Sequence, residues 1–206
     1  MTIASSIAIA PNVTQYFQEV ISDAIRVRHV EATDAAASYL VALLCDYAHP
    51  DEASGSTFNQ PLTFQLRDAL ELTGAERFRR LRALGDHALY ALGFFGGHIE
   101  VKGIDKRYVV EVGSTAYANA AATLRVKAHR EKNAGPLDVL GELAAKFDRF
   151  AEVLRDVADG TLASSGRDER SLVKLYERWM KTGSARIADQ LSAQGILPKR
   201  GSGGLH

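Results

Sequence analysis

His98-Ile-Glu-Val-Lys-Gly-Ile-Asp-Lys-Arg-Tyr-Val-Val-Glu-Val112 reads in two ways, and the choice between them sets the fold. β-Branched residues alternate with polar ones around Gly103, which is the pattern of a β-hairpin. Against it, Val109, Val112, Ala116, Ala120 and Leu124 continue one stripe at helical spacing from Asp105 to about His129. The stripe favours a helix, and the hairpin stays open as the alternative. Gly113 inside such a helix costs roughly 1 kcal/mol relative to alanine. Together with Ala116, Ala118 and the run Ala120 to Ala122, it is expected to let another helix approach closely.

Helical patterns lie on both sides of this stretch. Val13, Phe17, Val20, Ile21, Ala24 and Val27 form a stripe, with Asn12 and Gln15 approximating a capping box. Thr33-Asp34 caps a second helix, Ala35 to Ala48, that is apolar nearly all round and so predicted to be central. His49-Pro50 ends it, and Asp51 to Gln60 forms a loop before a short helix that starts at Pro61. Thr73-Gly-Ala-Glu76 has the form of a capping box for a long helix ending near Gly96-Gly97. Pro136 to Asp159 is strongly amphipathic, with Gly160 as its natural terminator. Thr161 to Gly166 reads as a small-residue linker, followed by two short helices around Trp179 and Leu191. The predicted fold is all-α: a bundle of about six helices with a C-terminal helical hairpin. It divides into an arm at 1–11, a bundle core at 12–160, a hairpin at 167–197 and a disordered tail at 198–206.

The 206 residues carry 25 Lys+Arg and 25 Asp+Glu, for no net charge, and 46% of them are apolar. This excludes a polyelectrolyte, a disulfide scaffold and a generally basic polyanion binder. Cys45 is the single cysteine, which fits a reducing compartment. Met1 to Pro11 lacks the basic start of a signal peptide, and no stretch reaches the roughly 18 apolar residues of a membrane span. Cytoplasm is the default expectation.

Chemistry-bearing motifs are sparse. The six histidines lack ligand spacing, no Glu-x-x-His or His-Glu-x-x-His occurs, and neither metal nor cofactor is expected. Gly93-Phe-Phe-Gly-Gly97 closes a helix instead of opening one after a strand, so it is not a phosphate loop. Ser164-Ser-Gly166 is no nucleophile elbow, and no catalytic residue is assigned.

Three groups of candidates remain. Asp86, His87, Tyr90, His98, Glu111 and Tyr117 would line a ligand pocket if the two helices that carry them faced each other. The competing reading makes Arg82, Asp86 and Tyr90 ordinary i,i+4 neighbours and His87 a histidine bonded to a carbonyl. Leu172, Tyr176 and Trp179 suit a partner-binding face on the hairpin, or packing of that hairpin onto the bundle. Arg77, Arg79, Arg80 and Arg82 form a local basic patch that could hold a nucleic acid, and a second cluster at Arg125, Lys127, His129, Arg130 and Lys132 is what a helix C-terminus favours in any case.

Leu81-Arg-Ala-Leu-Gly-Asp-His-Ala-Leu-Tyr-Ala-Leu-Gly-Phe-Phe95, Tyr108 to Tyr117, and Leu175 to Trp179 through Thr182-Gly-Ser184 resemble segments of uncharacterised bacterial all-helical proteins. The resemblance implies a bacterial, cytoplasmic helical protein and attaches no activity. The sequence therefore points first to a non-catalytic protein acting through protein–protein contact, as an adaptor, regulator or oligomeric accessory. A ligand-binding or enzymatic bundle with a pocket near His87, Tyr90 and Glu111 is the alternative. A nucleic-acid-associated regulator using the arginine patch comes third.

Overall fold

A computed structural model of the chain describes residues 9–48, 60–131, 138–164, 176–177, 179–180, 185–193 and 196. All regular structure among the described residues is α-helical: α1 (Ile9–Val27), α2 (Asp34–Ala48), α3 (Leu62–Glu71), α4 (Gly74–Val101), α5 (Lys106–Glu131), α6 (Val139–Ala145), α7 (Phe147–Ser164) and α8 (Ala185–Ala193). Two compact units form, Met1–Arg155 and Asp156–His206.

The ambiguous stretch is a helix–turn–helix. Gly103 sits at φ +72, and Ile104 N donates to Ile99 O at 3.1 Å. That is the left-handed residue and six-to-one bond of a Schellman cap, so Gly103 ends α4 and turns no hairpin. Accordingly α4 does not stop at Gly96-Gly97. It runs on to Val101 through a kink at Phe95 (φ −120, ψ 18).

Other ends depart from expectation too. α1 starts at Ile9, which places Pro11 in the first turn, where its missing N–H has no intrahelical partner to lose. Thr73 makes no side-chain cap bond, and the Glu76 carboxylate, which would close the other half of the box, is held by Arg79 and Arg80. The segment after Pro136 is two helices nicked at Lys146 (φ −117, ψ 27), with the backbone bonds Lys146 N to Glu142 O and Phe150 N to Lys146 O both kept. Gly160 does not terminate α7, which continues to Ser164. The expected cap at Thr33 does form: its hydroxyl accepts from Ala36 N at 3.1 Å and donates to Glu142 of α6 at 2.6 Å.

In the first unit, α4 and α5 share the most extensive contact. Leu81, Leu84, Ala88 and Leu92 of α4 and Val109, Val112, Ala116 and Ala120 of α5 are buried. A Cβ on Gly113 would lie 2.3 Å from Phe147 and 2.9 Å from the Cβ of Ala88. The close approach expected of Gly113 is therefore present, and any side chain there would push α4, α5 and Phe147 apart. α2 is less enclosed than its composition suggests: Ala36, Leu40, Leu43 and Leu44 are buried, while Ser38, Ala42 and Asp46 face solvent.

In the second unit, Trp179, Ile187 and Leu191 are buried together, with Tyr176, Ala188 and Ile196 packed against them. Ile196 N donates to Leu191 O at 2.8 Å, the helix C-cap with hydrophobic contact that Gly195-Ile196 implied.

Candidate functional site

Asp86 is the centre of a buried polar cluster. Its Oδ1 accepts from the hydroxyls of Tyr39 at 2.6 Å and Tyr117 at 2.7 Å. Arg82, one turn earlier on α4, stands 3.4 Å from Oδ2 and donates Nε–H to the Tyr39 oxygen at 2.9 Å. Tyr117 has no exposed surface. Its ring fits against the α4 backbone because residue 85 is glycine: a Cβ there would come within 2.6 Å of the ring. One missing side chain therefore places a phenol on the neighbouring carboxylate.

Burial raises the Asp86 carboxyl above its ordinary range, against the opposing pull of the two phenols, Arg82 and His87. Burial first, and then Asp86, push the phenols of Tyr39 and Tyr117 upward. They are neutral donors at physiological pH and cannot serve as bases there. For Arg82, burial works to lower the guanidinium, and Tyr39 and Asp86 outweigh it. The cluster is saturated by its own members, which is the arrangement a buried polar group requires.

One turn further along α4 the chemistry changes. Tyr47 of α2 stacks on Tyr90 with centroids 4.0 Å apart and planes at 11°. Tyr90 stacks on Phe94 at 4.7 Å and meets Phe95 edge-on at 5.8 Å, while His87 lies edge-on to Tyr47 at 5.6 Å. Successive residues of a straight helix point about 100° apart. Phe95 joins Phe94 against Tyr90 because its own backbone is non-helical (φ −120, ψ 18), the kink in α4. None of the five rings is fully buried, and Phe95 is 51% exposed. Burial lowers the His87 imidazole, opposed by its hydrogen bond to the Ala83 carbonyl and by Asp86. Burial raises the Tyr47 and Tyr90 phenols.

The structure thus gathers Asp86, His87, Tyr90 and Tyr117, and leaves out two predicted members. His98 is exposed on the last turn of α4, and Glu111 is exposed on α5. Val109, Val112 and Ala116 turn the inner face of α5 toward α4, which puts Glu111 on the outer one. Tyr39 and Tyr47 were not foreseen. Their signal was two tyrosines about two turns apart on an otherwise aliphatic helix.

The other two candidate groups are placed as follows. Leu172 lies outside the described residues, while Trp179 is 7% exposed and Tyr176 packs beside it at 5.6 Å. The indole is spent inside its own unit. The arginine patch is largely neutralised: Arg79 and Arg80 bind Glu76, and Arg82 serves Asp86 and Tyr39. Arg77 donates to the Leu70 carbonyl at 2.9 Å and meets no carboxylate among the described residues. Within those residues no group of three or more His, Cys, Asp or Glu side chains is placed to hold a metal ion, and no helix is long and apolar enough to cross a membrane. Neither a protein-family model nor a curated protein nor a solved structure matches this chain.

Proposed function

We propose that the chain acts through contact with another protein, and that the aromatic face shared by α2 and α4 is the contact surface. The observation that carries this is the unbroken set of ring contacts from His87 through Tyr47 and Tyr90 to Phe94 and Phe95, which opens to solvent at Phe95. Aromatic rings offer large contact area for few rotatable bonds and dominate interface hot spots. A non-catalytic role agrees with the neighbouring Asp86 cluster, whose groups are bonded to one another. We also place the protein in the cytoplasm, on the strength of its single cysteine; fractionation that finds it elsewhere overturns that assignment.

A photoreactive phenylalanine analogue at position 95, compared with one at the exposed Val27, tests the surface in cells of the source organism. A discrete adduct at 95, absent at 27 and lost on Tyr90→Ser, is the expected result. Light scattering then tells whether the adduct is a second copy of this chain. Equal labelling at both positions, or none at 95, removes the proposal.

A further inference from the structure

A second feature of α4 lies at its other end, away from the aromatic face. A groove of about 780 Å³ runs between the start of α4 and the second half of α5, with Leu72, Phe78, Ala122 and Val126 among its walls. That volume falls in the range of small-molecule sites, roughly 300–1,000 Å³, whose walls are mainly apolar with a few placed polar groups. The charged lining side chain is Arg77. Its guanidinium spends one N–H on the Leu70 carbonyl and keeps its other donors. The acids nearby on α4 are already committed: Glu76 to Arg79 and Arg80, Asp86 to the tyrosines and Arg82. An apolar trough with one half-buried, uncompensated guanidinium complements a molecule with an apolar body and a single negative charge.

We propose that this groove binds a free organic acid with one apolar chain or ring. Its body lies along Leu72, Phe78, Ala122 and Val126, and its carboxylate meets Arg77 as a bidentate ion pair. The planar fork of arginine matches a carboxylate better than it matches a neutral or cationic head group. One guanidinium against one carboxylate also favours a free acid over an anionic bilayer, which would call for several exposed cations.

Equilibrium dialysis of the full chain tests this with dodecanoate and dodecyltrimethylammonium below their micelle concentrations and dodecanol below its solubility limit. Dodecanoate is expected to bind one per chain and at least tenfold more tightly than the cation. Arg77→Glu should lose at least tenfold for dodecanoate and gain for the cation, while Arg77→Lys, which keeps the charge and loses the planar fork, should bind dodecanoate more weakly than the parent and more tightly than Arg77→Glu. Ala122→Trp, at an exposed helix position, should abolish binding of all three probes with the helical circular dichroism kept; Thr73→Trp at the rim replaces it if that signal is lost. No dodecanoate binding, equal binding by Arg77→Glu, or equal binding by the tryptophan variant overturns the proposal. So does binding to phosphatidylglycerol vesicles in place of the free acid, or a dimer that Ala122→Trp dissolves, since the groove would then hold a membrane or a second copy.

Discussion

Asp86 and Tyr90 sit one turn apart on the same helix and belong to opposite kinds of surface. Around Asp86 every polar group finds its partner inside the protein: two phenols on one carboxylate oxygen, an arginine beside the other. Around Tyr90 the rings touch one another and then run out of protein at Phe95. The difference teaches where to look for function on a chain without catalytic motifs. A perturbed carboxylate is a poor guide when its neighbours already use its hydrogen-bonding capacity, and an incomplete apolar surface is a better one.

The contrast can be broken most forcefully at Gly85. Gly85→Ala puts a methyl group against the ring of a fully buried tyrosine, and overpacking of that kind costs about 3 kcal/mol at its upper range. Urea unfolding should show the lower midpoint, and a stability equal to the parent would mean that Tyr117 does not lie on the α4 backbone. Tyr117→Phe comes next: it leaves Asp86 one donor short in a buried setting, a loss of about 2 kcal/mol. The same change at Tyr90 removes no bond to Asp86 and should cost less.

The titrations of Asp86 and His87 should run with opposite sign, since burial raises an acid and lowers a base. The folded-state carboxyl of Asp86 is raised, so its contribution is fully present below the ordinary aspartate value of 3.8 and is lost as pH climbs through the folded value. The folded imidazole of His87 is lowered, so its contribution is present above 6.5 and is lost as pH falls through the folded value. Relative to the parent, Asp86→Asn should therefore gain stability as pH rises, and His87→Gln should gain it as pH falls. Profiles that run parallel would mean that burial does not govern one of the two groups. The smallest effect on folding is expected at Phe95, where a serine should change stability by no more than about 0.5 kcal/mol. A larger loss by calorimetry would mean that Phe95 belongs to the core and is not available to a partner.

Much of this was legible from periodicity. The stripe Val109, Val112, Ala116, Ala120 faces α4 as its spacing required, and Gly113 marks a close helix crossing. The Gly103 turn was harder, since glycine ends a helix and turns a hairpin equally well, and only the bond from Ile104 to Ile99 decides between them. At Thr73 the motif implied a capping box, but the hydroxyl makes no cap bond and the Glu76 carboxylate has two arginines within reach, which the motif cannot register. Four of the six candidates come together, because Asp86, His87 and Tyr90 are neighbours along one helix and Tyr117 lies on the α5 face that meets it. Tyr39 and Tyr47 were missed because their role depends on which side of α2 meets α4, information carried by tertiary packing alone.

The glycines of the first unit carry a consequence for ancestry. A Cβ on Gly85 meets Tyr117, one on Gly93 would lie 2.5 Å from the Cβ of Leu154, and one on Gly113 meets Phe147. Surface helices can diverge freely, but a chain that inherits this arrangement can replace none of the three without moving a helix. Distant kin should be recognisable by that sparse triplet, with an acid after the first glycine and a tyrosine four residues beyond the last, long after overall resemblance has decayed.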